Sequence, residues 1–229
     1  LTEMEFAGMF EAYARTIGHG GKLRVRNYNT EGYSWHVLSG TSGGLVGVLD
    51  SPASGEGTSA AFPAGAGNRR LRPGEPVRVD LGTVMNGYHM DETRRFAIGS
   101  MPEKAYRASR AAIEIHDAVL DLATPGRTLA ELFEHACARA DRLGYADAFL
   151  GPPGHKASFI GHGIGLEIAE NPVIARGFDE PLEAGMTIAV EPKKGIKGIG
   201  MVGIENTYVV APGGGRSITG RHRGLMPVG

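Results

Sequence analysis

From Val77 to Arg94 apolar and polar residues alternate, with Val77, Val79 and Leu81 before Asn86-Gly87 and Tyr88 and Met90 after it. A period of two is that of a strand with one buried face. Asn-Gly tolerates the positive φ that a two-residue hairpin turn requires. The spacing predicts a β-hairpin with Asp80 opposite Thr93, and with Asp91 on the diagonal of the same face. Elsewhere the period is helical. The capping box Thr2-Glu-Met-Glu5 starts a helix through Phe6, Met9, Phe10 and Tyr13 that stops at Gly18 and Gly20. Pro102 opens a second helix, Glu103 to Leu122, whose stripe is Ala105, Ala108, Ala112, Ile115, Val119 and Leu122. Thr128-Leu-Ala-Glu131 is another capping box, for a helix through Leu132, Ala136, Ala140 and Leu143 to Gly144. Further strands are predicted at Leu23 and Val25, at Val37-Leu38, over Leu45 to Leu49, Ser158 to Ile160, Met186 to Val190 and Met201 to Val210. Ser51 to Gly74 has no period and reads as a long functional loop. The sum is an α+β domain with sheet from both halves, the order of helix, strands and acidic strand pair occurring once in each half.

Composition narrows the function. The chain has 229 residues and is 41% hydrophobic, enough for one large core. Lys and Arg number 24 against 25 Asp and Glu, so neither nucleic acid nor an acidic membrane is an expected partner. No apolar run has the length of a membrane span, and no signal peptide is visible. The single cysteine, Cys137, cannot form an internal disulfide and fits a cytoplasmic setting. With 36 glycines, many tight turns and close backbone approaches are expected.

The candidate chemistry is acidic. Asp80 and Asp91 point into one space; if it is enclosed, cations must share it, and a pair of metal ions satisfies that need. The hairpin alone fits equally well with two aspartates facing water. Glu191 ends an apolar strand in Ala189-Val-Glu-Pro192, and Glu205 lies inside Val202-Gly-Ile-Glu-Asn206. Carboxylates in apolar strands are rare unless paired or metal-bound. A hairpin centred near Gly198 would put Glu191 and Glu205 on one face. His162 lies between glycines in Ile160-Gly-His-Gly-Ile-Gly165. Four carboxylates and one imidazole suit Mn, Co, Fe or Zn, and two dications would cancel four carboxylates. A bridging water would then deprotonate near neutral pH and become the nucleophile. Lys193-Lys194 reads as a solvated turn.

Asp80-Leu-Gly82, Gly87-Tyr88, Asp91-Glu-Thr-Arg94, Gly161-His-Gly-Ile-Gly165, Glu191-Pro192 and Gly203-Ile-Glu205 together resemble the pita-bread metallopeptidase family. That family includes methionine aminopeptidase, aminopeptidase P, prolidase and the metal-free creatinase. The resemblance covers nearly the whole chain and is closest to the Xaa-Pro peptidase branch. It implies a curved, mainly antiparallel sheet with helices on its outer face, in two pseudo-symmetric halves. It also implies that Asp80, Asp91, His162, Glu191 and Glu205 ligate two divalent ions, with Asp91 and Glu205 bridging. Glu191 would in addition take a proton from the metal-bound water and give it to the leaving amine. Thr93 and Arg94 would hold the carboxylates. The substrate implied is a small peptide cleaved before proline. Residues 1–229 would form one catalytic domain without the N-terminal domain usual in such members, and a homodimer is possible.

The chain departs from the family at two positions. Peptidases of the family carry a histidine seven residues after the ligand histidine, where this chain has Ala169, and another before the first aspartate. Between Ser51 and Gly74 there is none, and Phe62-Pro-Ala64 stands there. His89, on the carboxylate face by alternation, and His155, after a Pro-Gly turn, are the candidate substrate-binding replacements; His89 could equally hydrogen-bond at the rim. These departures keep open an alternative, the same metal site used for a non-peptide lyase or amidohydrolase reaction.

Overall fold

The computed structural model describes residues 1–21, 23–24, 35–47, 51, 53–220 and 222–229. Val25, Val48 and Leu49 of the predicted strands lie outside these. Helix α1 (Glu3–Thr16) begins with the expected box: Glu5 N–H donates to Thr2 Oγ1 at 3.1 Å and Thr2 N–H to Glu5 Oε2 at 2.8 Å. Helices α2 (Glu103–Leu122) and α3 (Leu129–Arg142) follow the predicted stripes, and Thr128 and Glu131 form the second box.

The central hairpin is β2 (Pro76–Met85) and β3 (Tyr88–Ile98). Its turn has φ 52° at Asn86 and 85° at Gly87, and Asp80 pairs with Thr93 and Gly82 with Asp91. With β1 (Trp35–Ser39) and β11 (Leu225–Val228) these strands form a sheet ordered β1-β2-β3-β11. The apolar set of β2 faces α1, where Val77 and Val79 pack with Val37, Ala7 and Ala14. Strand alternation therefore turns Arg78 and Asp80 to the opposite side.

The second sheet, ordered β10-β9-β6-β4-β5, comprises β4 (Phe159–Gly163), β5 (Glu170–Ala175), β6 (Thr187–Val190), β9 (Asn206–Val209) and β10 (Arg216–Ser217). Ile160, Ile174, Ile188 and Val190 bury one side of it against Ile115 and Val119 of α2 and Leu132 and Ala136 of α3. A separate ribbon joins β7 (Lys193–Ile196) to β8 (Gly200–Gly203), and Lys193 pairs with Gly203. Among the described strands only the β3–β11 pairing is parallel. No helix of the described residues is long and apolar enough to cross a membrane.

The strands differ from expectation at several places. Neither Leu23 nor Leu45 to Gly47 is strand; a 3-10 turn at Gly40–Gly44 precedes the latter. Met201 to Val210 breaks into β8 and β9 at Ile204-Glu205, where Glu205 leaves its own sheet to bridge Thr93 in the first. Strand β5 had no signal, because its Asn171-Pro172 interrupts any period.

Candidate metal centre

The two sheets meet where Thr93 of β3 bridges Glu205, just before β9. Thr93 N–H donates to Glu205 O at 3.3 Å, and Thr93 Oγ1 to Glu205 Oε2 at 2.7 Å. Asp91, two residues earlier on β3, shares that face. His162 comes from β4, whose close neighbours explain the flanking glycines: a Cβ at Gly161 would collide with Ala189 O, and one at Gly163 would lie 2.5 Å from Asn171 O. Asp91, His162 and Glu205 are buried and bring one ligand atom each within 4.8 Å of one another, close enough for one divalent ion to bond all three. His162 Nδ1 donates to Gly163 O at 2.9 Å, which leaves Nε2 as the lone-pair donor toward the cluster. Nε2 lies 3.6 Å from Glu191 Oε1 and 4.0 Å from Asp91 Oδ2. The residues present thus fit one divalent ion.

Glu191 and Glu205 share a face as the Gly198-centred hairpin predicts, since Lys193 pairs with Gly203 and Ile196 with Gly200. The solvated turn is wrong. Lys193 is 2% exposed, and its ammonium sits among the acids: it contacts Glu191 Oε2 and lies 3.2 Å from Glu205 Oε2 and 3.3 Å from Asp80 Oδ2. Lys194 is also buried, with its ammonium over the Tyr145 ring. A signal for Lys193 existed, because it stands two residues after Glu191 and alternation puts both on one face. The double lysine before glycine masked it.

The charges follow from this packing. Burial alone would raise the Asp80 carboxyl, but Lys193 and Arg78, whose Nη2 lies 3.5 Å from Asp80 Oδ2, hold it below the ordinary carboxylate range. Burial and then Glu205 push Asp91 well up, and burial and then Glu191 push Glu205 up to about 8. Burial opposes the charge on Lys193, but Asp80, Glu191 and Glu205 outweigh it and hold the ammonium protonated. His36, opposite Asp80 in the β1–β2 register, is pushed down to about 4 by burial and is neutral. Only the β1–β2 pairing brings His36 to Asp80, and no local pattern specifies that pairing.

Of the supporting residues, Thr93 binds the Glu205 carboxylate directly, whereas Arg94 holds the Glu205 backbone and the Asn206 side chain and pairs with Glu92. Its Nη1 donates to Glu205 O at 2.9 Å and its Nη2 to Asn206 Oδ1 at 2.6 Å. His89 lies on the carboxylate face, as alternation predicts, but takes the rim role. Arg24 N–H donates to its Nε2 at 2.9 Å, and its Nδ1 faces Gly165 O at 3.2 Å. His155 is exposed in the turn after Pro152-Pro153, unlike buried Asp91, His162 and Glu205. Ala64 is buried in the long loop and Ala169 is exposed between β4 and β5.

Acids from both sheets thus converge with one histidine on a single buried cluster, within a fold of the pita-bread type. The chain belongs to metallopeptidase family M24, which it matches over residues 1–212. It is 34% identical over 171 residues to the Xaa-Pro dipeptidase of Pyrococcus furiosus, covering 74% of this chain and 47% of that protein. To the Xaa-Pro dipeptidase of Lactobacillus delbrueckii subsp. lactis it is 36% identical over 167 residues, 71% of this chain and 43% of that one. Its fold matches the crystal structure of an X-Pro aminopeptidase from Thermotoga maritima with a TM-score of 0.80 and 26% identity, covering 100% of this chain and 55% of that one. The prolidase from Pyrococcus furiosus gives 0.77 and 28%, covering 97% and 57%. The chain therefore spans about half the length of the curated relatives it matches.

Proposed function

We propose that this chain is the catalytic domain of a metal-dependent peptidase that hydrolyses Xaa-Pro bonds in small peptides, in a cytoplasmic setting that a single free cysteine suits. The observation that carries the reading is the convergence of Asp91 and Glu205, from different sheets, on His162 Nε2. A divalent ion there would supply Lewis acidity and a water acidified to near neutral pH. The chain's own residues do the rest. Thr93 fixes one oxygen of Glu205, and the Gly163 carbonyl fixes the His162 tautomer. Glu191 carries Oε1 beside His162 Nε2 and is the proton acceptor, then the donor to the departing amine. Four carboxylates can serve one ion or, as the family resemblance implies, two; Lys193 bears on that count.

Free proline released from Xaa-Pro dipeptides in the presence of Mn or Co tests this reading. Metal-dependent release that a chelator stops is the expected result. A second reading has its own observation. Phe62-Pro-Ala64 and Ala169 offer no side-chain hydrogen bond where the family's peptidases place histidines. A metal-loaded chain that releases no proline would favour lyase or amidohydrolase chemistry on a non-peptide substrate.

A further inference from the structure

The cluster holds a cation of its own. Lys193 Nζ reaches Asp80, Glu191 and Glu205, three of the five side chains that would share two metal ions. We propose that Lys193 permanently takes the place of the second cation, so that the chain binds one divalent ion between Asp91, His162 and Glu205. Asp80 then serves Lys193 and Arg78 as counter-ion rather than ligating metal. This rests on the reading of the site as a metal centre and changes its nuclearity.

Three independent features support it. The first is that the backbone is shaped for the lysine. Gly203 stands directly across from Lys193, and a Cβ there would come within 2.5 Å of Lys193 Cγ and 2.8 Å of its Cα. The lysine stem crosses the bare face of that glycine and is shut from solvent, 2% exposed.

The second is that Asp80 already has its charges. Besides Lys193 it faces Arg78, which is fully buried and whose Nε and Nη1 have no hydrogen-bond partner among the described residues. Asp80 is the carboxylate that the arginine meets, and withdrawing it to a metal would leave a buried guanidinium uncompensated.

The third is the charge count. Against Asp80, Asp91, Glu191 and Glu205, Lys193 and Arg78 leave two negative charges, which one divalent ion cancels. Two ions would leave a buried cluster with an excess of two positive charges. A second ion bonded to Asp80 would also lie beside the ammonium that contacts the same carboxylate, where like charges repel.

Metal per chain decides the matter without reference to activity. The purified protein is loaded with Mn(II), dialysed, and analysed for metal and protein by mass spectrometry and for coupling by electron paramagnetic resonance. We expect one ion per chain and the spectrum of isolated Mn(II). Asp80→Asn should keep that ion, and Lys193→Met, which removes the ammonium at similar length, should admit a second with an exchange-coupled spectrum. Two ions per wild-type chain, or loss of metal in Asp80→Asn, would overturn the proposal while leaving the metal centre standing. One ion in both wild type and Lys193→Met would overturn the role of the lysine. No bound metal in any form would overturn this proposal and the underlying reading together.

Discussion

Thr93 Oγ1 and Glu205 Oε2 are 2.7 Å apart across the seam between two sheets, where the two residues form an isolated bridge. The contact fixes one oxygen of a buried carboxylate and leaves the other for a cation. Removing the hydroxyl should loosen the ligand without unfolding the chain. Thr93→Ala is expected to weaken divalent-metal affinity about 10–100-fold, and Thr93→Ser to restore most of it. Competition with a metal-binding dye measures this. Equal affinity in Thr93→Ala would mean that the bond does not orient Glu205.

The metal-free chain should lose stability as pH rises from about 6.5 to about 8. Burial, then Glu191, holds Glu205 up to about 8, so the folded chain keeps a proton that the unfolded chain, with its carboxyl at 4.5, has released. A raised carboxyl favours folding only at pH values where it stays protonated, and that contribution fades as pH climbs through the folded value. His36, pushed down to about 4, acts in the opposite sense, but its effect is complete once pH passes its ordinary 6.5. Thermal melts of chelated and Mn-loaded protein across this window provide the check. The chelated form should show a falling midpoint and the loaded form a flatter one. A chelated midpoint that rises with pH would contradict the charge assignment.

Much of this was legible because short-range rules set it. Asn86-Gly87 fixed the turn, and with it the pairing of Asp80 with Thr93; Thr2 and Thr128 marked the starts of α1 and α3. Asp91, Glu205 and His162 could be singled out as candidates, since buried acids and a glycine-flanked histidine have few other uses. What escaped depends on contacts far apart in sequence. Lys193 reads as a surface turn until the fold closes Asp80 over it, 113 residues away. Glu205 breaks a run that looks like one strand, because Thr93, 112 residues away, pulls it into the other sheet.

Glu3 is another such case, hidden in a capping box. Its fully buried carboxylate accepts from Ser39 N–H at 2.6 Å, Ser39 Oγ at 2.8 Å and Gly67 N–H at 3.1 Å, tying α1 to β1 and the long loop. Glu3→Ala should cost about 3 kcal/mol or more, since each buried donor left unpaired costs about 1–3 kcal/mol. Glu3→Gln, which keeps an acceptor, should cost less. Urea unfolding resolves the order, and a neutral Glu3→Ala would refute the anchoring role.

His89 separates a rim residue from a substrate contact. Its ring joins Arg24 N–H to the Gly165 carbonyl, so His89→Ala should cost about 1–3 kcal/mol of stability. The KM for an Xaa-Pro dipeptide should stay near that of the parent. A large rise in KM at unchanged stability would return His89 to the substrate.

The central claim, that Asp91 joins His162 and Glu205 around a divalent ion, is tested most directly by the metal content of Asp91→Ala. Mass spectrometry of the folded variant, after loading and dialysis beside the parent protein, should find metal in the parent and essentially none in the variant. Full occupancy in the variant would contradict the account.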